Sequence, residues 1–145
     1  MRILVQRCDK ASVTVDNKIV GSIDKGLMLL VGFTENDSSN NIDYLVDKTI
    51  NLRIFDDENG IMNKSLLDIG GSILSVSQFT LYADSSKGRR PSYCNALSGD
   101  KAITLYNEFN EKLKSKNVHV ETGIFGAEMK VSLINDGPIT IMLEK

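Results

Sequence analysis

The sequence predicts an α+β domain, one sheet-rich unit carrying two helices. Three observations lead there. Several segments alternate apolar and polar residues with the period of a strand, and two longer ones place apolar residues at helical spacing. The length, 145 residues, is that of one domain. No internal repeat, low-complexity tract or linker divides the chain, so residues 1–145 read as a single domain.

Ile3 and Val5, then Val13 and Val15, alternate with polar neighbours and open the sheet. Asp16-Asn17 supplies a turn, and Ile19 to Ile23 returns. Gly26 starts the dense run Leu27 to Phe33, whose continuous apolarity suggests a strand buried on both faces. A helix follows, with Ile42, Leu45, Val46 and Ile50 in one stripe and Ser38 or Ser39 as its cap. Phe55 to Gly60 reads as a loop with an acidic tip, and Leu66 to Gly71 leads through a glycine turn into the strand Ile73 to Ser77. The second helix runs from about Gly99 to Ser115, with Ala102, Leu105, Tyr106, Phe109 and Leu113 inward. Ser98 is its expected N-cap; Asp100 suits the N-terminal end of the dipole and Lys112, Lys114 and Lys116 the other. Strands are expected at Val118–Glu121, Glu128–Asn135 and Pro138–Leu143. Between the last two lies Asn135-Asp136-Gly137-Pro138, an ordinary composition for a hairpin turn. Proline cannot donate to a strand ladder, and X-Pro is also the common place for a cis peptide.

Composition limits the function. An apolar fraction of 41% and a charged fraction of 25% are those of an ordinary soluble protein, and a chain this long buries roughly 70% of its extended surface. No apolar run approaches the ~20 residues needed to cross a bilayer. The opening MRILVQRCDK reads as a first strand, not as a secretory signal, and Cys8 and Cys94 form no CxxC. A cytoplasmic protein with two reduced thiols is therefore expected. A net charge of −2 argues against a protein that coats long nucleic acids, though not against contact with the end of one. The local basic cluster is Lys87, Arg89 and Arg90, in a Ser/Gly-rich loop that is either simply solvated or placed to meet phosphates.

The chemistry is narrowed by what is missing. His119 is the sole histidine, there is no GxSxG elbow, no set of metal ligands, and no GxxxxGK[ST] or GxGxxG loop. No metal and no nucleotide cofactor is indicated. Any catalysis must rest on hydroxyls, amides and backbone dipoles.

Ser77-Gln78-Phe79-Thr80-Leu81 and Asn135-Asp136-Gly137-Pro138-Ile139-Thr140, in this order, resemble the D-aminoacyl-tRNA deacylase family. Gly88-Arg89-Arg90-Pro91-Ser92-Tyr93, the stretch Thr122 to Met129 and the opening Met1 to Gly32 fit it too, so the resemblance spans the chain. The family pattern has Val where Ile139 stands and Phe where Tyr93 stands, both conservative changes. The resemblance implies a strongly curved, barrel-like, mostly antiparallel sheet with two main helices. It implies a homodimer that cleaves the ester at the 3′ acceptor end of D-aminoacyl-tRNA, with active sites at the subunit interface. Gly137-Pro138 would be cis, reach the partner's site, hold the α-amino group with its carbonyls and wall off L side chains. Glycyl-tRNA, with no side chain to reject, would also be a substrate. Phe125 and Met129 look like pocket walls near the terminal adenine, or else core.

An aminoacyl ester is already activated, so N–H groups aimed at its developing oxyanion can supply much of the catalysis. Ser77, Gln78, Phe79 and Thr80 are the candidates. Phe79 and Thr80 would expose backbone N–H groups after a strand end, and Gln78 would orient ester or water. Thr80 is either a nucleophile or a positioning group; no base in the sequence accompanies it, which favours positioning. The segment could instead be a strand from Ser75 to Tyr82 with Phe79 and Leu81 in the core. The rival functions are a non-catalytic RNA-end or ribosome-associated module, and a threonine-dependent hydrolase of D-peptides.

Overall fold

Strand β1, Arg2–Val15, is the spine of the fold in this computed structural model, which describes residues 1–145. Asp16 and Asn17, both with positive φ (49° and 62°), turn it into β2, Lys18–Ile23. Asn and Asp accept this left-handed geometry better than other side-chain-bearing residues do. Strand β3, Gly26–Gly32, pairs antiparallel with the first half of β1, from Arg2↔Gly32 to Cys8↔Gly26. Helix α1, Ser39–Asn51, follows; the Asn41 side chain accepts from the Ser38 backbone N–H at 3.0 Å, closing its first turn. The acidic loop expected at Phe55–Gly60 is the tip of a small hairpin, β4 (Phe55–Asp56) with β5 (Met62–Lys64). Strand β6, Ser72–Ser77, then lies parallel to β3. Helix α2, Gly99–Ser115, has the expected bounds, although Ser98 makes no side-chain capping bond. Strand β7, Val120–Thr122, is parallel to β6 and starts two residues later than expected.

Strand β8, Lys130–Glu144, corrects the expectation of a closing hairpin. The chain does not reverse at Gly137-Pro138. It runs on as one strand, antiparallel to β1 from Thr14↔Lys130 to Arg2↔Glu144. Between the pairs Gln6↔Thr140 and Cys8↔Asn135, Arg7 alone faces the four residues from Asp136 to Ile139, a detour that absorbs the turn-forming residues without ending the strand. A second irregularity, at Asp9, adds one residue on β1.

That extra residue changes which face is buried. Ile3 and Val5 on β1, with Ile141 and Leu143 opposite, pack toward the helices. Beyond it, Ala11 and Val13, with Leu133 and Val131 opposite, join Cys8, Met28, Leu74 and Val76 inside the curve of the sheet. A one-residue slip moves side chains to the other face, and here the slip is built in. Strand β3 serves both cores at once: Leu27, Leu29 and Val31 face the helices while Met28 and Leu30 face the sheet interior. This accounts for its unbroken apolar run. The sheet is mostly antiparallel and curls almost to closure. A Cβ on Gly21 of β2 would lie 2.7 Å from the Thr122 carbonyl oxygen of β7, so only glycine lets these edges approach. The expected barrel-like architecture with two helices is what the chain adopts.

Candidate active site

Strand β6 ends at Ser77, and Phe79–Tyr82 winds into a single 3₁₀ turn. The alternative of a strand through Tyr82 with a core Phe79 fails: Phe79 is 54% exposed. The Gln78 N–H donates to the Val31 carbonyl at 2.7 Å, tying the turn to β3. Gly32 lets it sit close, since a Cβ there would lie 2.8 Å from the Gln78 carbonyl oxygen. From the other side the Arg2 guanidinium donates through Nη1 to the Leu81 carbonyl at 2.9 Å and through Nε to Glu144 at 2.8 Å. Arg2 also stacks over the Tyr82 ring, 4.5 Å from its centre. Burial pushes the Tyr82 phenol up to about 12, so it stays neutral.

A 3₁₀ turn leaves its first N–H groups without intrahelical acceptors. The first bond in this turn runs from the Leu81 N–H to the Gln78 carbonyl, and the Phe79 and Thr80 N–H groups have no acceptor in the chain. The Thr80 hydroxyl accepts from the Gln78 side-chain amide.

Beside the turn opens a cleft of about 300 Å³. Ser77, Gln78, Phe79, Phe125 and Met129 all line it, with Gly126-Ala127 and the α2 residue Ala102. Five of the expected site residues, dispersed in sequence, thus meet at one cavity. Phe125 leans on Tyr106 with ring centres 5.8 Å apart, and the Tyr106 hydroxyl donates to the Ser75 carbonyl at 2.8 Å. Met129 is half-buried and, besides lining the cleft, packs on the interior of the sheet. No lining residue is ionisable. His119 stands outside, exposed and 3.2 Å from Glu121, as a surface residue. Thr80 has no imidazole, amine or carboxylate partner to take its proton.

Lys87, Arg89 and Arg90 occupy the exposed tip of a loop that leaves the cleft and returns to it. Its base is closed by paired backbone bonds between Asp84 and Ser92, each 2.8 Å. None of the three cations is within ion-pair distance of a carboxylate. At the loop's return Tyr93 meets Phe79 edge to face, centres 5.2 Å apart.

Gly137 and Pro138 are not in this cleft. Their peptide bond is cis, and both residues are exposed at the top of the β8 detour. The detour stands opposite Arg7, five positions along β1 from the Arg2↔Gly32 pair, or about 17 Å at the rise of a strand. Two residues that sequence reasoning missed build it. Asn135 bridges its neck: its amide donates to the carbonyls of Arg7 (2.9 Å) and Ile139 (3.0 Å), and its oxygen accepts from Gln6 (3.2 Å) and Thr140 (3.1 Å). Buried Arg7 sends Nη1 to the Ile54 carbonyl at 2.6 Å and lies 2.9 Å from Asp136, an ion pair whose Nε–H is not aligned for a hydrogen bond. In the sequence Asn135 looked like an ordinary turn former; an arginine amid alternating strand residues was the available signal for Arg7.

The comparisons with known proteins agree with this geometry. The chain is 56% identical over 144 residues to a D-aminoacyl-tRNA deacylase of Bacillus cytotoxicus, covering 99% of each, and 52% identical to one of Thermus aquaticus, covering 99% of this chain and 95% of that one. Among solved structures, "c-Myc DNA Unwinding Element Binding Protein" superposes with a TM-score of 0.94 at 39% identity, over 100% of this chain and 99% of that one. The model of the D-Tyr-tRNA(Tyr) deacylase family matches residues 4–144, and the chain belongs to that family.

Proposed function

We propose that this deacylase binds the terminal adenosine of D-aminoacyl-tRNA in the cleft and hydrolyses its ester without an ionisable side chain. The observation that carries the reading is the meeting of Ser77, Gln78, Phe79, Phe125 and Met129 at one cavity beside two unsatisfied backbone N–H groups. Phe125 and Met129 flank the adenine. The ester carbonyl faces the N–H groups of Phe79 and Thr80, which hold the oxyanion as water adds. Such donors contribute about 3 kcal/mol each because they are fixed before the reaction begins. Gln78 orients ester or water, and the Thr80 hydroxyl, already held by the Gln78 amide, positions that side chain. The products are free D-amino acid and tRNA, a proofreading step in the cytoplasm, where aminoacyl-tRNA is used.

Chirality comes from a second copy of the chain. The detour at Gly137-Pro138 is not among the residues that line its own cleft, yet it is exposed and braced by Asn135 and Arg7. This supports a homodimer in which each detour enters the partner's cleft. Its carbonyls take the α-amino group and its bulk fills the space an L side chain needs. Glycyl-tRNA passes the same wall. Lys87, Arg89 and Arg90 take phosphates of the acceptor end. Matched D- and L-tyrosyl-tRNA test the reading: ester loss is expected from the D form only. Equal rates for the two, or release from neither, would overturn it.

A further inference from the structure

We propose that Phe79 and Tyr93 form a stacking platform for the unpaired nucleobase that precedes the terminal adenosine. The proposal rests on the cleft being the seat of that adenosine, and extends the bound RNA by one nucleotide. Phe79 is 54% exposed and Tyr93 44%. Single exposed apolar residues are ordinary on a protein surface. These two touch each other at a defined angle, 69° between ring planes. In such an arrangement the edge of one ring covers a face of the other, so the contact leaves an aromatic face open.

Position identifies the occupant. Phe79 forms part of the cleft wall, so the pair stands on the cleft's lip. Tyr93 stands at the end of the loop whose tip carries Lys87, Arg89 and Arg90 without counter-charges. The order along the surface is therefore pocket, aromatic pair, cations. A single-stranded 3′ end presents the matching order: last base, preceding base, then the phosphates of the strand leading away. Aromatic platforms beside a positive track are how single strands are held without regard to sequence, because every base has a π-face. The unpaired cations supply the charge complementarity that an aromatic patch awaiting a protein partner would not require.

The test compares two substrates, D-tyrosyl-tRNA and 3′-O-(D-tyrosyl)adenosine, which has no preceding nucleotide. Tyr93→Ala should raise KM for the tRNA about tenfold, the low-to-middle range for one stacked base, with kcat changed less than about twofold. The loss should be confined to the tRNA. Tyr93→Phe should restore the wild-type KM, whereas Tyr93→Leu, which keeps apolar volume without a π-face, should not. An abasic residue placed before the terminal adenosine should cost wild-type protein the same tenfold and cost Tyr93→Ala nothing more, a comparison that stands even if one variant folds poorly. Equal loss on both substrates would make Tyr93 a mere prop for Phe79 and overturn the proposal, as would an unchanged KM for tRNA or an abasic substrate bound as well as the intact one. Wild-type protein that cleaves neither ester would remove the catalytic reading beneath it, an outcome distinct from all of these.

Discussion

Substituting Gly32 by alanine tests the oxyanion geometry without touching any group that reacts. The new Cβ would stand 2.8 Å from the Gln78 carbonyl oxygen, against 3.4 Å for an ordinary contact, so the backbone on one side must give by about 0.6 Å. Strand β3 is held on both edges, by β1 and β6, and the 3₁₀ turn is the part that can move. A donor 2.9 Å from its acceptor, displaced by that amount, is at about 3.5 Å and no longer makes a useful hydrogen bond. Loss of one oxyanion donor corresponds to about 3 kcal/mol, a hundredfold or somewhat more in rate. Overpacking should also cost about 1–3 kcal/mol of stability. The assay is single-turnover hydrolysis of D-tyrosyl-tRNA at saturating enzyme, where the rate constant does not depend on how much of the protein is folded. Ile42→Val, in the helix-facing core away from the cleft, costs about 1 kcal/mol of stability and should leave that rate constant alone. A Gly32→Ala protein that is folded and turns over at the wild-type rate would refute the role given to the turn.

Thr80→Ala keeps the backbone N–H and should retain measurable single-turnover activity; complete loss with an intact fold, or a trapped acyl-enzyme, would instead mark Thr80 as a nucleophile. At Gly137, with φ of +115° and Ile139 Cγ1 2.8 Å from any added Cβ, alanine should reshape the detour, lowering D-ester turnover tenfold or more while thermal stability falls only slightly. Steady-state kinetics beside a melting curve check this. Burial lifts the Cys8 thiol to about 11, so in native protein only Cys94 should react with a thiol reagent at pH 8, and Cys8 only after unfolding. The same shift makes folded protein hold the Cys8 proton where unfolded chain releases it, so this stabilising contribution is intact below about pH 9 and fades as pH rises toward 11; denaturant midpoints across that window report it.

Much of this molecule can be read from periodicity alone. The stripe Ile42, Leu45, Val46, Ile50 forms the buried side of α1, and the run from Leu27 forms a strand with two buried faces, because local apolar spacing and tertiary burial agree there. Asn135 to Pro138 misled because each residue favours a turn locally, whereas eleven pairings with β1 keep both flanks in one strand. Long-range pairing leaves little mark on the segment that it overrides. The cleft divides in the same way. Ser77 to Thr80 and the Phe125–Met129 stretch are legible as motifs, but the Arg2 grip on Leu81 and the Asn135 bridge join residues 79 and 128 positions apart and carry no local signal.

Asp9 is where the longest strand pair of the molecule changes its allegiance. On one side of it β1 is bonded to β3 and looks toward the helices; on the other it is bonded to β2 and looks into the sheet's own hollow. The two halves of the protein are thus phased by one exposed residue that touches neither core. Were Asp9 instead taken into the regular pairing, with no bulge and no change of sequence, Ala11 and Val13 would turn out of the hollow and Ser12 and Thr14 into it. The Gly137-Pro138 detour lies under no such restriction, since the strand on each side of it is registered by its own pairing with β1. The detour can therefore change length while the two flanks of β8 keep their places, whereas the bulge at Asp9 must stay for as long as that residue does.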